Sequence, residues 1–261
     1  MDKEKLIELL SEGKTTQEIG EIFGKDKRTI GYWIKKYDLN NMLKYKKNPS
    51  YTINKIDSKE KAYLLGFIVA DGHINDKHQA QLSIAIKDKE VVEYIASIIK
   101  SNVFYSYETD KKNRKFPKAS TSKTIKDITQ FIGKGLKKER HLPIVNKDLA
   151  RFIILGVFDA DGCITFGYRK DRNRLWHKVS FTSSYNILLG VQKCLLQYVN
   201  ISTALRPKGN EDCFVLEFAN KADIIKFYNF IYPDENFIIL NRKYQKYKAL
   251  RLKLEENGET A

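Results

Sequence analysis

The sequence predicts an α+β protein of two pseudo-symmetric αββαββα repeats, preceded by a small all-α domain. Three observations carry this expectation. The stretch Ile154–Gly162, ILGVFDADG, has a partial copy ninety positions upstream at Leu64–Gly72, LLGFIVADG. After each copy, period-two alternation and helical spacing follow one another in the same order. The first forty residues show only helical spacing punctuated by glycine. These patterns divide the chain into residues 1–40, a basic linker 41–57, a first repeat 58–145 and a second repeat 146–261.

At 261 residues and 42% hydrophobic, the chain is long enough for a sizeable core and more than one module. Its formal net charge of +15 says more about partners than about fold, and points to a polyanion, most simply a nucleic acid. Cys163, Cys194 and Cys213 have no metal-ligand spacing and cannot all pair, so they read as reduced thiols. The N-terminus MDKEKLIELL lacks a signal-peptide core, and no apolar run is long enough to span a membrane. An intracellular protein is expected, cytoplasmic or phage-expressed, with an organelle left open.

In the first forty residues, 2–11 form an amphipathic helix with Leu6, Ile7, Leu9 and Leu10 inward, stopped by Gly13. Thr15 or Thr16 caps a second helix through Phe23, with Ile19 and Ile22 as its apolar side. Gly24 turns the chain, Asp26 caps, and a third helix to about Tyr37 buries Ile30, Trp33 and Ile34. Three short helices with a tight turn before the last resemble a helix-turn-helix DNA-binding module. The third helix would present Lys25, Lys27, Arg28, Thr29 and Tyr32 near its start. A small helical interaction domain is the alternative, and the basic face favours DNA. The linker, with Lys44, Lys46, Lys47 and the interleaved Tyr45 and Tyr51, is either a solvated tether or an arm lying along DNA.

Ser58 is placed to cap the first motif helix. Residues 79–87 then alternate, with Gln79, Gln81, Ser83, Ala85 and Lys87 outward and Ala80, Leu82, Ile84 and Ile86 inward. A helix over 88–100 turns Val91, Val92, Ile95, Ile98 and Ile99 inward; strands near 102–108 and 115–121 and a helix from about Thr124 to Ile132 follow. Residues 109–140 hold eleven Lys or Arg, Lys118 among them, against three acids, an excess that suits a phosphate-tracking surface.

The second repeat runs likewise. Its motif helix starts near Lys147, and a strand near 163–168 leads to a basic turn at 169–172. The strand 174–183 puts Arg174, Trp176, Lys178, Ser180 and Thr182 on one face and Leu175, Val179 and Phe181 on the other. A helix over 185–198, strands near 201–207 and 212–219, a helix over 221–230 and a basic helix over 241–255 complete it.

The two motif stretches are apolar nearly all round, as buried helices are. Gly66 with Ala70, and Gly156 with Ala160, lie four apart on one face, where two helix backbones can approach closely. Gly72 and Gly162 are placed to end the helices in the left-handed cap conformation. Asp71 and Asp161 fall in the last turns, where the helix dipole disfavours a carboxylate. If the helices pair in parallel, two like charges meet at two negative helix ends, and a hard divalent cation such as Mg²⁺ is the natural counterion.

The shared register Leu/Ile-x-Gly-x-hydrophobic-x-Ala-Asp-Gly resembles the paired motifs of the LAGLIDADG homing endonucleases, in the single-chain form that carries both copies. The resemblance covers roughly residues 56–255. One departure stands out: Val69 occupies a position that is acidic in the motif, and Asp159 is its counterpart in the second copy. In the family the metal-binding acid is the later one, present here as both Asp71 and Asp161.

The resemblance implies a saddle-shaped antiparallel sheet surface joined at the motif helices. It implies site-specific double-strand cleavage of DNA by metal-dependent phosphodiester hydrolysis, across the minor groove and leaving 3′ overhangs. Asp71 and Asp161, with the Ala70 and Ala160 positions beside them, would hold Mg²⁺, for which Mn²⁺ substitutes. Lys138 in GLKKERHLP and Lys243 in NRKYQKY are the implied basic catalytic residues, their alternative being ordinary surface lysines. Gln79, Gln81, Ser83, Lys87, Lys118 and the outward residues of strand 174–183 would meet a long, asymmetric duplex target, bound by a monomer. The family serves intron or intein homing; without splicing residues at either end, a free-standing or intron-encoded nuclease is expected. The rival readings are a non-cleaving DNA-binding transcription regulator and an intron maturase on the same fold.

Overall fold

A computed structural model of the chain divides into two compact units, Met1–Pro49 and Ser50–Ala261. The structure describes residues 1–42, 50–75, 79–110, 112–121, 123–169, 174–209, 212–233 and 235–256. Lys44, Tyr45, Lys46 and Lys47 of the linker and residues 170–172 of the basic turn lie outside the described residues. No helix is long and apolar enough among them to cross a membrane.

The first unit consists of α1 (Lys3–Ser11), α2 (Thr16–Phe23) and α3 (Lys27–Lys36). Each helix starts at a side-chain cap. Asp2 accepts from the Glu4 and Lys5 amides, Thr15 and Glu18 form a reciprocal capping box, and Asp26 accepts from Arg28 and Thr29. Such caps contribute about 1 kcal/mol apiece. The core is Leu6, Leu9, Leu10, Ile19, Ile30, Ile34 and Leu39. Ile7 and Trp33 are only half-buried, and Ile22, expected inward, is 50% exposed. A helix of eight residues has one inward row here, and Ile19 and Gly20 fill it. Gly24 adopts φ +61, which lets the Lys25 amide reach the Gly20 carbonyl at 2.8 Å. A Cβ on Gly20 would sit 2.5 Å from the Lys25 oxygen, so this turn requires glycine.

The second unit begins with β1 (Tyr51–Thr52), α4 (Lys59–Asp71), β2 (His73–Ile74), β3 (Ala80–Gln81) and β4 (Ser83–Ala85). There follow α5 (Lys89–Ile99), β5 (Val103–Thr109), β6 (Lys115–Thr121), β7 (Ile125–Lys126) and α6 (Thr129–Ile132). The second repeat contributes α7 (Lys147–Asp161), β8 (Gly162–Arg169), β9 (Arg174–Ser183) and α8 (Tyr185–Val199). It closes with β10 (Leu205–Pro207), β11 (Phe214–Phe218), α9 (Lys221–Ile231) and α10 (Asn241–Glu256). Both halves run helix, strands, helix, strands, helix; the second has two strands in each place, as the sequence predicts, and the first has three.

The sheets are antiparallel, in the orders β10-β11-β9-β8, β4-β6-β5 and β1-β7-β3-β2, apart from one parallel contact between β1 and β7. That contact revises two expectations. Tyr51 and Thr52 are strand rather than linker, and the helix expected from Thr124 is β7 followed by a single turn, α6. Asp127, at φ +58, breaks the chain between the two. The alternation over 79–87 is also interrupted: Gln79 precedes the strand, and Lys87 lies in a 3-10 turn over Ile86–Asp88. In β9 the expected alternation holds, with Leu175, Val179 and Phe181 buried.

α4 and α7 pack against each other at the centre of the core, through the predicted glycines. A Cβ on Gly66 would lie 2.1 Å from the Ile153 carbonyl oxygen, and one on Gly156 would lie 2.4 Å from that of Tyr63. Backbone touches backbone, which no larger residue permits. Ser58 and Asn146 cap the two helices at their starts.

Candidate active site

The opposite helix ends are built differently from the expected left-handed caps. Gly72 (φ −73, ψ 142) and Gly162 (φ −83, ψ 154) are extended, because the chain passes directly from each helix into a strand. Glycine is needed for space: a Cβ would stand 2.6 Å from the Ile68 oxygen in one repeat and 2.5 Å from the Phe158 oxygen in the other. Asp71 and Asp161 are the last residues of α4 and α7, so both carboxylates face the negative ends of their helices. Partial desolvation, and then the charge of Asp161, hold the Asp71 carboxyl above the ordinary carboxylate range. The positive charge of Lys137 opposes both effects.

Each helix end is closed by a buried cation. Arg140 Nη1 donates to the carbonyls of Ile68, Val69 and Gly72 at 3.3, 3.3 and 2.8 Å. Lys243 Nζ donates to those of Phe158, Asp159 and Gly162 at 2.5, 2.8 and 2.6 Å. The accepting carbonyls are the same three motif positions, ninety residues apart. These bonds satisfy carbonyls that a helix C-terminus leaves without intrahelical partners. Burial pulls the Arg140 guanidinium down and the Lys243 ammonium down to about 8, a pull that the Asp159 charge opposes for Lys243.

Asp159 is buried beside Lys243 and away from solvent, where the Tyr63 hydroxyl of α4 donates to its Oδ2 at 2.9 Å. Burial pushes its carboxyl up to about 7 against the opposing Lys243 charge. Its counterpart Val69 is also fully buried. Both positions are interior, whereas Asp71, two residues on from Val69, is exposed.

Of the two neighbouring lysines, Lys137 reaches the acids. Its Nζ donates to Asp161 Oδ2 and Oδ1 at 2.7 and 3.1 Å, whereas Lys138 Nζ meets the exposed Asp212 at 3.3 Å. They sit in a 3-10 turn over Lys137–Glu139, where successive side chains point about 120° apart, so only one can face the acid. The turn is held from α8 and its cap, Ser184 Oγ donating to the Lys137 carbonyl and Asn186 Nδ2 to that of Lys138. Beside Lys243, Arg242 makes a bidentate pair with Asp88 of the first repeat, at 2.5 and 2.8 Å.

The remaining sequence candidates lie on outward faces. In the first half Gln81 and Ser83 are exposed on the sheet, Gln79 and Lys87 flank it in turns, and Lys118 is paired with Glu108. In the second half Arg174 and Trp176 are exposed, Lys178 pairs with Glu217, Thr182 accepts from Lys208, and Ser180 lies half-buried between them. In the first unit Lys27, Arg28 and Tyr32 are exposed on α3. Arg140, Lys137 and Arg242 were not legible as site residues. Arg140 and Lys243 are 103 apart rather than ninety, so no repeat register marks them.

Two paired repeats, each ending a buried helix on an acid, define the class, and comparison with known proteins gives the family. Residues 49–129 match the family model described as "Homing endonuclease", and residues 148–232 the one described as "LAGLIDADG-like domain". Together the matches cover more than half of the sequence, and the chain belongs to the LAGLIDADG homing endonuclease family, as a single-chain, two-repeat member. Among solved structures, the homing endonuclease I-WcaI bound to its DNA recognition sequence is 16% identical with TM-score 0.51, over 74% of this chain and 87% of that one. The meganuclease I-SmaMI bound to uncleaveable DNA with a TTGT central four is 12% identical with TM-score 0.51, over 78% and 92%. At these identities the likeness is one of fold. No curated protein sequence matches the chain.

Proposed function

We propose that this chain is a site-specific DNA endonuclease that makes double-strand breaks with divalent cations held at Asp71 and Asp161. The observation that carries the proposal is that these acids end two helices locked backbone to backbone. The donor chemistry fits Mg²⁺, which takes one or two carboxylates and completes its shell with water and substrate phosphate. No cluster of three or more His, Cys, Asp or Glu accompanies them among the described residues. The carbonyls of Ala70 and Ala160, one residue before each acid, are the adjacent hard donors. When bound, such a cation supplies an acidified water and neutralises charge at the scissile phosphate.

The protein's own groups do the rest. Arg140 and Lys243 hold the helix-end backbone that carries the acids, and Lys137 neutralises Asp161 while standing ready to meet a phosphate. The outward sheet faces differ in composition between the halves, which suits a long, asymmetric target read by one monomer. Activity is expected to require Mg²⁺ or Mn²⁺ and to vanish in EDTA, while Ca²⁺ supports binding without cleavage. Complete linearisation of a validated target plasmid in EDTA would sink the cation assignment.

The first unit reads as a helix-turn-helix that extends the recognised site on one flank, α3 presenting Lys27, Arg28 and Tyr32 to the major groove. Intron homing, or action as a free-standing gene, is the biological role that fits such a nuclease. Deleting residues 1–49 is expected to weaken affinity and shorten the footprint while leaving cleavage intact at high enzyme concentration. A footprint of unchanged length would give that unit another role.

A further inference from the structure

We infer that β5 and β6 read thymine in the first half of the target through the rings of Phe104 and Phe116, which contact thymine methyl groups in the major groove. The inference rests on the DNA-binding reading above and deepens it. In this two-strand ribbon Phe104 lies opposite Ser120, Ser106 opposite Lys118, and Glu108 opposite Phe116. These six side chains therefore share one face. The other face carries Ala119, which is buried, and Tyr105, whose hydroxyl donates to Glu93 of α5. The ribbon's Phe104 and Phe116 thus point away from α5 and away from the core, on the side where Ser83, paired with Ser120, is also exposed.

Two large rings are held open to solvent there, Phe104 at 53% and Phe116 at 44% exposure. A single exposed apolar residue is ordinary, but two on one face of a polar ribbon call for a partner. On this face the charges between the two rings cancel, because Lys118 is paired with Glu108 at 2.5 Å. Phe116 is also pre-positioned: the Arg114 guanidinium lies 5.5 Å from its ring centre and is itself anchored by Asp110. Apolar rings make no hydrogen bond to a phosphate, whatever basic residues stand nearby. The major groove offers them one apolar feature, the thymine methyl. The rings stand four ladder positions apart, about 14 Å along the ribbon. At about 3.4 Å per base pair that separates the thymines by about four pairs.

The test uses the full chain in Ca²⁺ and a duplex library with a randomised central segment. The enriched site is expected to hold two thymines about four base pairs apart in one half. Replacing either by deoxyuridine, which deletes only the methyl, should weaken binding about fourfold, the equivalent of about 0.8 kcal/mol for one buried carbon. F104A and F116A should each lose the thymine preference at one of the two positions, and F104L should keep it. Y107A, on the opposite face, should keep both preferences. Equal affinity for thymine and deoxyuridine at every position, or undiminished discrimination in both Phe-to-Ala variants, overturns the inference and leaves DNA recognition standing. If no sequence is enriched at all, the DNA-binding reading falls and this inference falls with it.

Discussion

Asp161→Asn and Asp71→Asn should each reduce double-strand cleavage by more than about 100-fold, the upper range for groups one step removed from a metal. Both variants should still fold. Asp161→Asn exchanges the charged pair with Lys137, in which the lysine side chain is 40% and the aspartate 13% exposed, for a neutral hydrogen bond, at a cost of about 1 kcal/mol. Melting should fall by no more than about 4 °C. Asp71 goes the other way. Its folded pKa lies above the unfolded value, so ionisation costs the native state stability once the pH exceeds that value. Asparagine removes the cost, and Asp71→Asn should melt at or above the wild-type temperature at pH 7. Thermal melts, and a gel separating nicked from linear plasmid, read both effects. Cleavage of both strands at the wild-type rate by either variant would remove that acid from the site. A fall in melting of many degrees would make the residue structural.

Lys243→Met is expected to be the most damaging change to stability, lowering melting by on the order of 10 °C. It strips three carbonyls of a charged donor and takes the largest opposing charge from the buried Asp159, leaving it only the weaker influence of Arg242, a defect costing about 3–5 kcal/mol. The pH dependence has a definite sign. The folded pKa of Asp159, about 7, is above its unfolded value, so its ionisation already opposes folding as pH rises. Without Lys243 that pKa climbs further, and the deficit against wild type should widen as the pH rises through 7 and above it. Lys243→Arg should keep most of the stability, since the equivalent place in the first repeat is held by an arginine. Arg140→Met should cost less than Lys243→Met, because Val69 leaves no orphaned carboxylate behind it. Adding Asp159→Val to Lys243→Met should recover part of the loss. Equal melting of Lys243→Met and wild type would contradict this account of the helix end.

The features legible in the sequence are those with a local or periodic cause. Ser58 and Asp26 cap helices because a short polar side chain reaches an amide two or three residues on. Leu175, Val179 and Phe181 are buried because a strand turns alternate residues to one side. Gly66 and Gly156 announce a close helix contact by recurring in register. What was missed depends on distant pairing. The parallel contact of Tyr51 with Ile125 involves two-residue strands that have no period to detect. Arg140 finds its carbonyls about seventy residues upstream, and nothing near it in the chain signals that. Lys137 and Lys138 are chemically identical neighbours, told apart only by the direction of a turn. Gly72 and Gly162 were recognised as helix terminators, but their extended backbone depends on the strand that begins at once.

The origin of the two clamping cations has a consequence for synthesis. Arg140 precedes α7 in the chain, so a polypeptide growing on the ribosome can finish the end of α4 before its partner helix exists. Lys243 belongs to α10, about eighty residues beyond the acid it supports. Until α10 emerges and docks, the end of α7 has bare carbonyls and an unmatched Asp159. A nascent chain, or one terminated before α10, therefore carries both acidic motifs without a finished second acid site. Completion of the centre waits on a helix made long after both acids.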